Sequence, residues 1–411
     1  MYYYKINGRF FFSLKAYDYD EISKETFEKA KDYIYFLNKL PIGRSKDRLL
    51  IETIEELSVK NEEINQISLN YLEPIKEVSE FIKNMIARKK VVMINPAYGL
   101  LFNDKKPKKK SVTILGLGDV GGTLLLGLRL LGKDVVDEIR LFDLDENKIK
   151  RYILEMNQIV YPNDSDLPRV VSTTMENLFD TDVFIFTASK FVPKVGNEKK
   201  DVRMIQYEAN REIIKIYAKM ARKKNYKGLF AVVSDPVDLL CNVVFYESNK
   251  NNENKLDFKG LLPNQVRGFG LGVMNGRANY YSEIRGFNYK SEGRVFGPHG
   301  KGLIVANSLE NYSQEASIRL TEDVITANLK VRETGFKPYI APALSSGALS
   351  ILETLRGNYN YSTVFIDGIY WGIRNQLING SVGIERNYLN NQLMKRIKES
   401  YDELRRQYEE S

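Results

Sequence analysis

The sequence predicts an α/β protein built around a doubly wound parallel sheet. Residues 111–270 alternate short apolar runs with stretches that carry apolar residues at helical spacing. This alternation is typical of parallel strands joined by helices that cover both faces of a sheet. Residues 271–411 mix strand-like and helical stretches, which favours an α+β domain, and residues 1–110 are predicted to form a small N-terminal module.

The three regions differ in how regular their predicted elements are. The central region has predicted strands at 111–115, 139–142, 183–186 and 229–233 and predicted helices at 123–131 and 208–222. The N-terminal module has strand-like residues at 2–15, helical spacing over 21–40, a mostly helical stretch over 46–89 and a short strand at 91–94. The last region has strand-like stretches at 283–305 and 362–372 and predicted helices at 304–318, 343–356 and 389–408.

Composition narrows the class of protein. Hydrophobic residues make up 43% of the 411 residues and charged residues 28%, as in ordinary globular proteins. No apolar run reaches the length of a membrane-spanning helix, and the N-terminus lacks a signal-peptide pattern. The single Cys241 excludes an internal disulfide framework. We therefore expect a cytoplasmic protein without a membrane partner. We also expect a homo-oligomer.

The formal charge of +8 raises the possibility of a nucleic-acid partner. Five lysines between residues 105 and 110 hold much of this excess, and they precede a predicted strand. A solvated linker is the favoured interpretation of this cluster. No zinc-ligand spacing, helix-turn-helix or RNA-binding sheet motif is recognisable, so we predict neither a metal site nor nucleic-acid binding. The basic balance is compatible with attraction of anionic small molecules.

A glycine-rich turn between the first central strand and its helix predicts a dinucleotide site. Residues 116–121 read Gly-Leu-Gly-Asp-Val-Gly, which fits the G-x-G-x-x-G pattern in its required strand–turn–helix context. Gly116 permits the tight turn, Gly118 lets the backbone approach a pyrophosphate, and Gly121 allows close helix–strand packing. Asp143 ends the second strand, where a carboxylate accepts ribose hydrogens and repels a 2′-phosphate. The predicted cofactor is therefore NAD rather than NADP.

His299 is the sole histidine of the chain and the main candidate for acid/base chemistry. It lies in the segment Phe296-Gly297-Pro298-His299-Gly300. Hydride transfer to or from a carbonyl requires movement of a proton, and an imidazole is suited to that task near neutral pH. A histidine together with a dinucleotide signature predicts an oxidoreductase.

Several segments, in order, resemble the lactate/malate dehydrogenase family. Residues 111–143 look like its first βαβ unit, and residues 181–188 are similar to its fourth strand. Residues 232–238 (Val-Val-Ser-Asp-Pro-Val-Asp) resemble its Val-Ser-Asn-Pro-Val-Asp signature, and Phe296–Gly300 resembles its histidine segment. The stretch from Val266 to Arg277 and the C-terminal Asn375–Glu385 also match, so the resemblance covers roughly residues 111–411.

The resemblance implies a Rossmann-type fold and an NAD-dependent enzyme acting on a 2-oxo or 2-hydroxy acid. His299 would exchange the hydroxyl proton, Arg277 would bind the substrate carboxylate in a bidentate pair, and Arg203 would polarise the carbonyl from a mobile loop. Lys337 and Asn197 fall at or near positions that line the substrate pocket. The cofactor would contact Gly116, Gly118, Asp119, Val120, Gly121, Asp143, Thr187, Ala188 and Ser234.

Three departures from the family pattern leave alternatives open. Met274 stands where the family has the aspartate that orients the histidine, and Asp235 stands where the family has asparagine. The active-site loop at 190–200 is also longer than usual. We expect Asp235 to act as a catalytic residue that supports His299, with the two side chains within about 6 Å. The alternatives are a catalytically weakened NAD-binding protein with a sensing or structural role, and a dehydrogenase of an atypical charged substrate.

Overall fold

The computed structural model describes residues 1–75, 77–100, 102, 109–163, 166–190 and 202–410, and for residues 202–205 the backbone alone. The strands are β1 (Tyr2–Ile6), β2 (Arg9–Ser13), β3 (Ile34–Leu37), β4 (Arg48–Leu50), β5 (Val91–Ile94), β6 (Lys110–Leu115), β7 (Val136–Phe142), β8 (Arg169–Ser172), β9 (Val183–Phe186), β10 (Leu229–Val232), β11 (Val266–Gly268), β12 (Arg294–Phe296), β13 (Ile304–Ala306), β14 (Asn360–Ile366), β15 (Ile369–Ile378) and β16 (Ser381–Ile384).

The helices follow the same chain order. They are α1 (Lys24–Phe27), α2 (Glu80–Ala87), α3 (Asp119–Leu131), α4 (Glu146–Asn157), α5 (Val202–Lys223), α6 (Val237–Ser248), α7 (Leu271–Arg285), α8 (Tyr289–Glu292), α9 (Gln314–Glu333), α10 (Ser350–Arg356) and α11 (Asn391–Glu409). A π-helical segment, Pro342–Leu349, leads directly into α10. None of the described helices is both long and apolar enough to span a membrane.

The central region forms a six-stranded sheet in the order β11-β10-β9-β6-β7-β8, and every neighbouring pair is parallel. This confirms the predicted doubly wound sheet, whose strand order reverses between β6 and β9. In such sheets, ligands bind in the crevice beyond the carboxyl ends of the strands at this reversal. The predicted strands and helices of this region are all present, with helices α3 and α5 longer than predicted.

The N-terminal residues do not form a sheet of their own. Their five strands lie in one eight-stranded mixed sheet with the last three strands of the chain, in the order β1-β2-β3-β5-β4-β16-β15-β14. The junction is a parallel pairing of Leu49 with Val382. The two ends of the chain also share one hydrophobic core, to which Phe36 and Ile384 belong. The five N-terminal strands are therefore part of the same sheet as the C-terminal strands.

Two helix predictions in this part are wrong. Within 21–40, the helix covers only Lys24–Phe27, and Ile34–Leu37 is a strand that pairs with both β2 and β5. Within 46–89, a strand and short 3₁₀ turns precede a single helix that begins at Glu80. Apolar spacing compatible with a helix is overridden here, because a strand between two neighbours satisfies its backbone hydrogen bonds and buries both faces.

In the C-terminal part, most predicted helices and strands are present, but several begin or end at other residues than predicted. The helix predicted at 304–318 begins at Gln314, because residues 304–306 form β13 and pair with β12. Residues 283–285, predicted to be strand-like, are the last turn of α7. The helical stretch at 342–356 and the final helix α11 are confirmed.

Candidate active site

The glycine turn after β6 has the geometry of a phosphate-binding loop. Gly116 has φ +99°, and a Cβ there would lie 2.9 Å from the Ala188 nitrogen. A Cβ on Gly121 would collide with the Gly116 carbonyl, whereas one on Gly118 would meet open space. Helix α3 starts at Asp119 with Gly118 as an N-cap that supplies no side-chain acceptor. Its first-turn amides and the helix dipole therefore favour an anion in front of the turn.

Asp143 lies at the end of β7, beside this turn. Its Oδ2 accepts the Leu117 amide hydrogen at 2.6 Å, and its Oδ1 accepts that of Asp145 at 2.9 Å. These bonds fix the carboxylate at the edge of the glycine turn. A carboxylate has about four acceptor positions, so capacity for ribose hydroxyls is left.

The carboxyl ends of β9 and β10 complete the crevice. Thr187 donates its hydroxyl hydrogen to the Gly116 carbonyl at 2.7 Å, and Ser234 donates to the Ala188 carbonyl at 2.6 Å. The structure therefore brings the predicted cofactor residues that follow four strands, β6, β7, β9 and β10, together at one edge of the sheet.

The ring of His299 lies against Asp235. Nδ1 is 3.2 Å from Asp235 Oδ1, within the distance predicted, although the ring N–H does not align as a hydrogen bond along this line. The histidine is mostly buried and the Asp235 side chain is 51% exposed. Gly270, which precedes α7, lets the ring approach closely, because a Cβ there would be 2.8 Å from His299 Nδ1. Asp235 thus occupies the place of a carboxylate partner to the imidazole.

Arg277 projects from α7 and is largely desolvated. Burial is the main cause that lowers the pKa of its guanidinium, and Asp235 and Tyr281 act in the opposite direction. Its Nη1 donates to the Val324 carbonyl at 3.3 Å and lies 3.7 Å from the Met274 sulfur. Met274 is thus a packing partner of Arg277. A half-buried guanidinium whose pKa is affected by the charge of Asp235 is suited to binding a substrate carboxylate beside His299.

Lys337, which the resemblance placed at or near the substrate pocket, contacts the cofactor turn in the structure. Its Nζ lies 2.9 Å from Asp119 Oδ2, so it pairs with the start of α3 at the cofactor turn and not with Asp235. The side chain is 66% exposed. Asn197 lies outside the described residues, and for Arg203 the structure describes only backbone, in the first turn of α5.

Two buried residues at the site were not predicted. Asn210 on α5 donates to the Asp235 carbonyl at 2.8 Å and accepts the Lys190 amide hydrogen at 3.1 Å. Asp238 on α6 accepts the backbone amide hydrogen of His299 at 3.0 Å. A carboxylate in the first turn of an otherwise apolar helix was the available signal for Asp238, and it lies within the quoted signature at 232–238.

Comparison with known proteins agrees with this architecture. Residues 110–256 match the family model for the NAD-binding domain of lactate/malate dehydrogenase. The chain is therefore similar to the lactate/malate dehydrogenase family over its NAD-binding region. A probable malate dehydrogenase of Campylobacter jejuni is 23% identical over 281 residues, which cover 65% of this chain and 86% of that protein. An L-lactate dehydrogenase of Staphylococcus saprophyticus is 25% identical over 218 residues, which cover 53% and 63% of the two chains.

Solved structures of the family share the fold. Malate dehydrogenase from Archaeoglobus fulgidus, in complex with NADH, superposes with a TM-score of 0.59 at 20% identity, covering 73% of this chain and 99% of that chain. The minor L-lactate dehydrogenase of Enterococcus mundtii superposes with the same TM-score at 19% identity, covering 72% and 96% of the two chains.

Proposed function

We propose that this protein is an NAD-dependent oxidoreductase that interconverts a 2-oxo acid and the corresponding 2-hydroxy acid. The observation that carries the proposal is the arrangement at one sheet edge: a phosphate-binding turn after β6 and an Asp235–His299 contact beyond β10. The family match over residues 110–256 supports NAD as the cofactor.

The residues at the crevice fit an NAD molecule. The open space at Gly118 and the first turn of α3 would accommodate the pyrophosphate, and Asp143 would accept the ribose hydroxyls and disfavour a 2′-phosphate. When bound, the nicotinamide supplies or accepts the hydride.

The remaining chemistry belongs to the side chains of this protein. Because Nδ1 of His299 faces Asp235, Nε2 is the atom that gives a proton to the substrate oxygen or takes one from it. The Asp235 carboxylate stabilises the imidazolium that forms after proton uptake. Arg277 holds the substrate carboxylate and so orients the reacting carbon. The proposal also keeps the predicted roles of Arg203 and Asn197 in the loop that precedes and enters α5.

Two alternatives are distinguished by experiment. Met274, which cannot support an imidazole, favours a weakened NAD-binding protein, and the exposed Asp235 carboxylate favours a substrate with a positively charged group. Turnover of a panel of 2-oxo acids with NADH, followed by loss of reduced-nicotinamide absorbance, tests the main proposal. His299→Asn should abolish turnover and leave NADH binding intact, and NADPH should bind more weakly than NADH. NADH binding without turnover of any acid would favour the first alternative, and turnover confined to cationic substrates the second.

The predicted cytoplasmic location and homo-oligomeric state remain predictions. Size-exclusion chromatography with light scattering measures the second directly.

A further inference from the structure

A second carboxylate, that of Asp238, contacts the main chain of His299. Asp238 belongs to the first turn of α6, three residues after Asp235, and its side chain is buried, with the residue 4% exposed. Its Oδ2 accepts the backbone amide hydrogen of His299 at 3.0 Å. The start of α6 therefore directs one carboxylate at the ring of His299 and another at its main chain.

The segment that carries His299 needs such an anchor. Gly297, Gly300 and Gly302 all have positive φ, at +98°, +128° and +89°. Glycines in this region of conformational space leave a loop with many accessible backbone states unless it is tied down. Ser400 on α11 holds one end of the loop, because its hydroxyl donates to the Gly302 carbonyl at 2.5 Å. The bond from Asp238 is the one made to the main chain of His299 itself.

Burial raises the free energy of the charged form of the Asp238 side chain. Burial is the main cause that raises the pKa of Asp238 to about 6; the His299 amide and the His299 ring lower it, and Asp235 raises it. Burial, and to a smaller extent the charge of Asp238, raise the pKa of the Cys241 thiol one turn further along α6. The hydrogen bond from the His299 amide and the attraction of the His299 ring both favour the charged form of Asp238, so both tie this carboxylate to His299.

We propose that Asp238 is a positioning residue, whose ionised side chain holds the main chain of His299 so that the imidazole stays against Asp235. This rests on the proposed function only for its consequence in catalysis. Met274 cannot orient the imidazole as the family aspartate does. Two carboxylates take over that role: Asp235 contacts the ring, and Asp238 holds the backbone that carries it. When the pH falls through the range in which Asp238 takes up a proton, the bond to His299 weakens and the ring becomes less ordered.

The sole histidine makes this testable without a substrate. Histidine labelled with carbon-13 at Cε1 gives one imidazole signal from the whole chain, which reports the surroundings of His299 alone. In the native protein, we expect one sharp signal at pH 8, where Asp238 is ionised, because burial raises its pKa only to about 6. In Asp238→Asn, we expect the signal to broaden or split at pH 8, because the ionised acceptor of the His299 amide hydrogen is lost.

Asp47→Asn is the matched control. Asp47 is also buried, accepts a backbone amide hydrogen at 3.0 Å, and has a pKa raised to about 6, but its partner is Asn264. Its replacement should leave the His299 signal at pH 8 as in the native protein. A broadened or split signal in Asp47→Asn, or an unchanged signal in Asp238→Asn, would overturn the proposal.

Kinetics add a readout that depends on the proposed function. With an acid that the native enzyme reduces, Asp238→Asn should lower kcat by about 10²-fold, as expected for a misplaced reacting group, with NADH affinity unchanged. An unchanged kcat would refute the positioning role. If no 2-oxo acid is reduced, the proposed function fails while the signal of the labelled His299 still decides the role of Asp238. If Asp238→Asn does not fold, Asp238→Glu takes its place, because the longer side chain displaces the oxygen that accepts the His299 amide hydrogen; a signal as sharp as the native one would then overturn the proposal.

Discussion

Replacement of Asp47 by asparagine should change how stability depends on pH. Asp47 lies just before β4, where its Oδ1 accepts the Asn264 amide hydrogen at 3.0 Å and joins the N-terminal strands to the segment before β11. Burial raises its pKa from 3.8 to about 6, and the amide bond and Arg48 only partly oppose this. A folded-state pKa above the unfolded one means that the folded protein binds the proton more tightly. The contribution of Asp47 is therefore fully present below about pH 4 and is lost as pH rises through about 6.

The size of the effect follows from the two pKa values. A difference of about two pKa units corresponds to about 3 kcal/mol of unfolding free energy at neutral pH. An asparagine of the same shape keeps an oxygen acceptor for Asn264 and does not ionise. We expect the unfolding free energy of Asp47→Asn to rise relative to the native protein by 2–3 kcal/mol between about pH 4 and pH 7.5.

Urea unfolding at several pH values measures this difference. Asp257→Asn is a control of opposite sign, because the hydrogen bond from Arg222 lowers the pKa of Asp257 to about 2. That pair stabilises the fold above about pH 4 and is lost as pH falls. The difference in unfolding free energy between the native protein and Asp47→Asn should change with pH. A constant difference would refute the reasoning, because it would show that the buried carboxylate does not titrate near pH 6.

Three further predictions concern the site. Gly121→Ala should abolish measurable NADH binding in a fluorescence titration, since its methyl group would collide with the Gly116 carbonyl; binding at native affinity would contradict the packing described. Lys337→Gln should alter NADH affinity in a salt-dependent way, because Lys337 pairs with Asp119 at the cofactor turn. It should leave the ranking of 2-oxo acids as substrates unchanged. A changed ranking would show that Lys337 acts in the substrate pocket. Arg277→Lys should raise KM by about 10²-fold with a smaller effect on NADH affinity, since an ammonium lacks the bidentate fork; an unaltered KM would remove Arg277 from carboxylate binding.

Much of the NAD-binding half could be predicted from local signals. The strands of 111–233 are short apolar runs, the helices between them keep helical spacing, and the glycine turn between β6 and α3 carries its own signature. Each of these features depends on neighbouring residues, so one sequence suffices to recognise them. Proximity of Asp235 to His299 was also predicted, but from family resemblance and not from local pattern.

The rest was decided by contacts between distant parts of the chain. Residues 34–37 have apolar spacing that suits a helix, yet they form a strand because β2 and β5 lie on either side. The N-terminal strands join the C-terminal sheet because the backbone edge of β16 is available to β4, a pairing that no local pattern records. Lys337 was assigned to the substrate pocket because of its position in a motif. In the structure, its ammonium group pairs with the carboxylate of Asp119, on another element. Sequence alone thus determined the local elements of the NAD-binding half and the motifs from which the chemistry is predicted. Tertiary structure decided which backbone edges paired and which charges met, because those choices depend on free energies summed over the whole fold.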